Sequence, residues 1–171
     1  MSTPKYTVKN VKTFRGMEGT GYECMLYRDG KCVATVTDTA DGGDVNIYWK
    51  DARKPRIEVA CTNYKDEPWT RKCTPEEAIF VAHLETLPKE KGYGMELKVS
   101  DGMFIERLVS AFEEEKQVRR WCKSKTVFKL KGDAEGSYRT VKAPYGPKVK
   151  AFIMDQYGDK VVEILNERFA A

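Results

Sequence analysis

Asp29-Gly30 lies between two strand-like runs, residues 22–27 and 32–37, and this dipeptide constrains the fold more than any other feature of the chain. A two-residue hairpin turn of type I′ needs positive φ at both central positions, which Asp tolerates and Gly adopts freely. The two runs are therefore expected to pair antiparallel. Asp41-Gly42-Gly43 supplies a second turn ahead of the run 45–49, and the loop 15–20, with Gly16 and Gly19, separates the run 6–11 from the hairpin. Residues 1–50 thus read as an antiparallel β-meander.

Residues 53–72 turn to Pro, Asn, Asp and Lys around a short apolar patch at 57–61, an edge-strand candidate in the segment that best suits a linker. Thr74-Pro75-Glu76-Glu77 then opens a helix, with Thr74 accepting from a first-turn amide, Pro75 at the first helical position and Glu77 closing a capping box. That helix is expected to end near residue 87, before Pro88, with Ile79, Ala82, His83 and Thr86 on one face. A connection rich in Lys, Gly and Tyr leads through an extended 95–99 to a second helix from Ser100 to about Trp121. Its apolar residues Phe104, Ile105, Leu108, Val109, Phe112 and Val118 recur at three- and four-residue spacing. Two strands, 125–131 and 137–142, form a hairpin, and helices are expected at 147–156 and 160–169, separated by Gly158. This order gives an α+β fold: an N-terminal antiparallel β-meander followed by helices, then a C-terminal β-hairpin with helices. A division into a β-rich part, residues 1–72, and a helix–hairpin–helix part, residues 73–171, is one reading, and a single compact domain the other.

Charge is distributed unevenly. Residues 119–150 hold ten Lys or Arg against two acids, whereas residues 73–118 hold five bases against ten acids, within a chain whose net charge is only +4. A concentrated cationic stretch attracts phosphate or carboxylate. In the hairpin, Thr126, Phe128 and Leu130 alternate with Lys125, Val127, Lys129 and Lys131, so one strand face is expected in the core and the other is expected to be largely cationic. With Arg139 and Lys142 from the partner strand and Arg119, Arg120 and Lys123 leading into it, this surface would neutralise several phosphates, and Tyr138 and Tyr145 would stack on unpaired bases. The plainer alternative is a solvated strand face whose lysines prevent edge-to-edge association.

Other constellations are weaker. Asp38, Asp41 and Asp44 surround Gly42 and Gly43 without the EF-hand spacing, so turn-making is the plainer reading and a hard-cation site the alternative. Loop 15–20 lacks a phosphate-loop order and leads into a strand instead of a helix. His83 is the only histidine and sits near the buried stripe of its helix, where packing is the plainer role; pairing with Cys61 or Cys73 as nucleophile is the catalytic alternative. The five cysteines have no C-x-x-C spacing and read as free thiols in a reducing compartment. Trp69, after Pro68, is the tryptophan expected nearest solvent. No apolar run reaches membrane-span length and MSTPKYTVKN lacks a signal-peptide core, so a cytoplasmic protein without membrane partners is expected.

The run FRGMEGTGYECMLYRDGKCVATVTDTADGG, together with TVFKLKGDAEGSYRTVKAPYGPKVKAFI and YGDKVVEILNERF, resembles a group of uncharacterised short proteins of bacteria, bacteriophages and other mobile elements. The resemblance transfers no catalytic residue. For a phage source it implies an accessory role such as inhibition of a host defence complex, in the manner of an anti-CRISPR protein. The reading from the residues is a non-catalytic binding module that needs no cofactor and docks on nucleic acid or a host nucleoprotein complex. The alternative is a small metal-dependent hydrolase or nuclease using the carboxylates of loop 38–44, with Glu18.

Overall fold

The computed structural model describes residues 3–63, 67–92 and 95–169, except for the side chains of Gly92 and Met95. Residues 64–66 of the expected linker and 93–94 of the Lys-, Gly- and Tyr-rich connection lie outside the described residues. The fold is α+β and comprises two compact units, Met1–Phe112 and Glu113–Ala171.

In the first unit, β1 (Tyr6–Arg15), β2 (Thr20–Arg28), β3 (Lys31–Asp38) and β4 (Asn46–Trp49) form an antiparallel meander in the order β1-β2-β3-β4. The β2–β3 turn has φ of 49° at Asp29 and 80° at Gly30, both in the left-handed region that the dipeptide anticipated. Pairing places Val8, Leu26, Ala34 and Trp49 in one cross-strand row. β1 contains a bulge between Lys9 and Lys12, with φ 55° at Asn10. The extra residue resets the pleat, so that Tyr6, Val8 and Val11 all reach the core despite their uneven spacing.

The expected linker contains two strands among its described residues. β5 (Ile57–Thr62) and β6 (Pro68–Cys73) pair as an antiparallel ribbon, on which Trp69 is 58% exposed. α1 (Pro75–Glu85) starts at the expected capping box: Glu77 N–H donates to Thr74 Oγ1 at 3.2 Å, and Thr74 N–H donates to the Glu77 carboxylate at 3.2 Å. Its buried face is Glu77, Phe80, Val81 and Leu84, while Ile79 is 40% exposed. The face expected from Ile79 and Ala82 is therefore the outer one. The i, i+3, i+4, i+7 pattern was masked in sequence because its first position is a glutamate, which Arg71 neutralises at 2.9 Å. After the short ribbon of β7 (Glu90–Gly92) and β8 (Met95–Leu97), Ser100 caps α2 (Asp101–Cys122) through Met103 N–H to Ser100 Oγ at 3.2 Å. Phe80, Leu84, Val99, Ile105 and Val109 join the meander's inner face in one core. α1 and the start of α2 therefore belong with the meander, and the division between units falls after Phe112 instead of after residue 72.

In the second unit, β9 (Thr126–Leu130) is the centre of an antiparallel sheet of order β10-β9-β11, with β10 (Arg139–Val141) and β11 (Val161–Ile164) at its edges. α3 (Pro147–Tyr157) precedes a 3-10 turn, Gly158–Lys160, and α4 (Leu165–Phe169) follows β11. The helix expected over 160–169 is corrected: its first half is β11, so the C-terminal hairpin is a three-stranded sheet. Phe128, Leu130 and Ile164 pack with Ile153, Val149 and Tyr157, chiefly of α3. Val127 faces the other way and packs with Val118 and Trp121 at the end of α2 and with Leu165 and Phe169 of α4.

Candidate nucleic-acid interface

β9 has no purely cationic face. Val127 is 0% exposed and Lys125 and Lys129 are half-buried, because helices cover both sides of the strand. Arg139 pairs with Phe128 across the sheet and so shares the Phe128 side, opposite Lys129. Asp133 holds the Arg139 guanidinium at 2.8 Å, and this pairing together with the Leu130 amide keeps the Asp133 carboxyl below its ordinary range. Lys129 stands opposite Glu163. The expectation of a single cationic ridge joining Lys129, Lys131 and Arg139 is therefore corrected: the pleat and the local acids divide it.

Other expected contacts are also taken up within the unit. Arg119 pairs with Glu115 at 2.8 Å and lies 4.4 Å over the Phe169 ring. Tyr138 is half-buried beside Val118 and Val127 and donates to Glu114 at 2.6 Å; that hydrogen bond, aided by burial, pushes its phenol up to about 12. Tyr145 donates to Glu167, which raises its pKa, and Lys150 pairs with the same carboxylate at 2.7 Å. Neither tyrosine is a free stacking platform in this arrangement.

A more compact cationic group remains at one end of the sheet. The turn after α2 is tight, with Lys123 N–H to Arg120 O at 3.3 Å and Lys125 N–H to Trp121 O at 2.9 Å, and it gathers Arg120, Lys123 and Lys125 at the start of β9. Val141 pairs with Thr126, and Thr126 Oγ1 donates to Ala143 O at 3.0 Å, which brings Lys142 to the same end. Asn166 fastens this corner. It is buried, its amide donates to Cys122 O at 3.1 Å and Lys125 O at 2.8 Å, and its Oδ1 accepts the Val127 amide at 2.7 Å. Arg120, Lys123, Lys125 and Lys142 make no ion pair among the described residues. Nearby in sequence, α3 begins at Gly146 without a side-chain cap, and its first turn carries Lys148 and no acid. Sequence reasoning identified the four cations individually but not Asn166, whose role depends on three segments far apart in the chain.

Net charge follows the same division. The second unit has thirteen basic and nine acidic residues, and the first unit seventeen of each, so the second unit accounts for the whole net charge of +4.

Of the catalytic alternatives, the structure does bring Glu18 to loop 38–44, with Glu18 N–H donating to Ala40 O at 2.8 Å and its carboxylate beside Gly42, but the loop's aspartates serve its turns. Asp38 accepts from the Ala40 amide at 2.8 Å and Asp41 from the Gly43 amide at 3.2 Å, as turn-making aspartates do. No cluster of three His, Cys, Asp or Glu suited to a metal ion occurs among the described residues. The His83 ring packs at 5.1 Å from Tyr6 and 5.3 Å from Phe104, its Nδ1 has no hydrogen-bond partner among the described residues, and burial lowers its pKa. The Cys73 thiol is buried, which raises its pKa and opposes thiolate formation. No described helix is long and apolar enough to cross a membrane. No protein-family model, curated protein or solved structure matches the chain.

Proposed function

We propose that the protein is a non-catalytic binding module that docks on nucleic acid, free or within a nucleoprotein complex, through the corner of the second unit formed by Arg120, Lys123, Lys125 and Lys142. The observation carrying this reading is that these four cations converge at one end of the sheet without an acid partner among the described residues, in the unit that holds the chain's net charge. Phosphate contacts by such groups release counterions, so binding is sequence-tolerant and salt-dependent. Lys129 and Lys131 extend the reach along β9, with a weaker contribution because Glu163 and Asp133 lie beside Lys129. Blocking a host defence nucleoprotein is the biological role that fits a docking module of this kind.

Fluorescence anisotropy with labelled single- and double-stranded DNA and RNA tests the reading. Four phosphate contacts give a log–log salt slope of about −3 to −4, and Arg120→Glu/Lys123→Glu/Lys125→Glu weakens binding by about tenfold or more at low salt. Lys129→Glu/Lys131→Glu has the smaller effect. Unchanged affinity in the triple variant rejects the interface, and magnesium-dependent cleavage of the probe rejects the non-catalytic reading.

A further inference from the structure

A cavity of about 200 Å³ opens in the first unit between the β5–β6 ribbon, α1 and residues 98–101. Its floor is aliphatic and buried, formed by Val81 and Leu84 of α1 and by Val99. Cys61, Arg71 and Lys98, all half-buried, stand in its walls. The charged heads of the two cations are engaged. Lys98 pairs with Glu85 and donates to Thr62 O at 2.9 Å and Thr62 Oγ1 at 2.7 Å, which ties the end of β5 to α1. Arg71 pairs with Glu77 and with Asp101, each at 2.9 Å, which ties β6 to both α1 and α2. What these side chains offer the hollow is therefore their methylene stems.

Side chains normally close over a hollow beside a buried aliphatic floor. This one stays open because the ion pairs fasten its walls. The same pairs decide what it can hold. Its charged lining residues, Arg71, Lys98, Glu85 and Asp101, are two of each sign and are paired with one another. An ionic ligand would give up hydration there without meeting an uncompensated charge among the described residues, whereas an uncharged apolar molecule gains by displacing water from the floor. Size narrows the class further. An apolar cavity of about 150 Å³ holds a benzene ring, so the present volume suits one ring or two fused rings. Trp69 supplies a last surface: it pairs with Cys61 across the ribbon and so stands on the cavity side, yet it is largely exposed. A ring seated in the cavity gives it an aromatic neighbour.

We propose that this cavity binds a small uncharged ring compound, one ring or two fused rings in size, seated on Val81, Leu84 and Val99 with Trp69 against its outer edge. The site is independent of the interface in the second unit, and its ligand is of a different class.

Amide NMR titration of the whole chain with benzyl alcohol, indole, benzoate and benzylammonium tests the proposal. Benzyl alcohol and indole are expected to shift the amides of Cys61, Thr62, Val81, Leu84 and Val99, with a Kd of about 1 mM or tighter. Benzoate and benzylammonium, nearly the same shape but charged, bind at least about fivefold more weakly than benzyl alcohol. Val81→Phe and the milder Cys61→Leu fill the cavity and abolish the shifts, with spectral dispersion reporting which variant keeps the fold. Trp69→Ala weakens binding by about threefold or more, while Arg120→Glu/Lys123→Glu retains it. Absence of shifts at millimolar ligand, equal affinity for the two ions, shifts that persist in a folded cavity-filling variant, or full affinity in Trp69→Ala overturns the proposal.

Discussion

Asn166 and His83 are single residues whose surroundings set how the molecule responds to change. Asn166 uses its carboxamide as both donor and acceptor, joining the end of α2, the start of β9 and α4. Replacement by Leu leaves the Val127 amide and two carbonyls without these partners, so Asn166→Leu is expected to cost about 2–4 kcal/mol in urea unfolding. His83 is held neutral among aromatic rings, with its folded pKa below the ordinary value. As pH falls through the unfolded value of about 6.5, the unfolded chain takes up a proton that the folded chain resists, so this site's contribution to stability decreases down to the folded pKa. Replacing His83 with Leu is expected to flatten the decline in stability between neutral and mildly acidic pH, measured by unfolding midpoints across that range. The packing role of His83 agrees with the expectation, although the stripe it was read from, shared with Ile79 and Ala82, is the outer face of α1. The three-way role of Asn166 was not legible, because an isolated Asn carries no signal of what it will touch.

Elements whose signal is local were the ones read correctly. The capping box fixed the start of α1 to the residue, since all its groups lie within four positions. Thr74→Ala is expected to lower stability by about 1–2 kcal/mol, read by thermal or urea unfolding, because Thr74 is buried and the Glu77 amide loses its acceptor. The inner face of α1 was missed for a related reason: Glu77 occupies a core-facing position, which only Arg71 from β6 makes tolerable. β11 was missed because four residues, Val161–Ile164, carry too short a pattern to distinguish a strand from the helix that follows them. They become a strand because β9 offers an open edge on that side. Burial of Val127 on the second face of β9 is a consequence of the same assembly. Val127→Lys is accordingly expected to destabilise the protein by at least about 3 kcal/mol, where a solvated strand face would tolerate it, as denaturant unfolding can measure.

At the scale of the whole molecule, the first unit has one core among the described residues and the second has two clusters, one on each side of β9. The first is built from residues up to Phe112, and the clusters of the second begin at Val118. Destabilising one unit is therefore expected to leave the other protected. In hydrogen-exchange mass spectrometry, Asn166→Leu should lose protection in peptides covering β9 and β11 while those covering β2 and β3 retain it. Loss of protection throughout the chain would mean that the units unfold as one. The charge asymmetry belongs to this scale as well, since an overall +4 conceals a neutral first unit and a basic second one. High salt is accordingly expected to weaken binding at the second unit without a comparable change in fold stability.

By itself the sequence determined the α+β class, the meander and its type I′ turn, the capped start of α1, the extent of α2 and the concentration of cations after residue 118. Each rests on contacts between neighbours in the chain or on composition, and these are written directly in residue order. Tertiary structure alone decided which cations remain uncompensated. Asp133 takes Arg139, Glu115 takes Arg119 and Glu167 takes Lys150, while the turn after α2 and the cross-strand neighbourhood of Lys142 gather the others. Electrostatic pairing acts over a few ångströms of space, and except within one helix turn, residue order does not reveal which side chains will come that close.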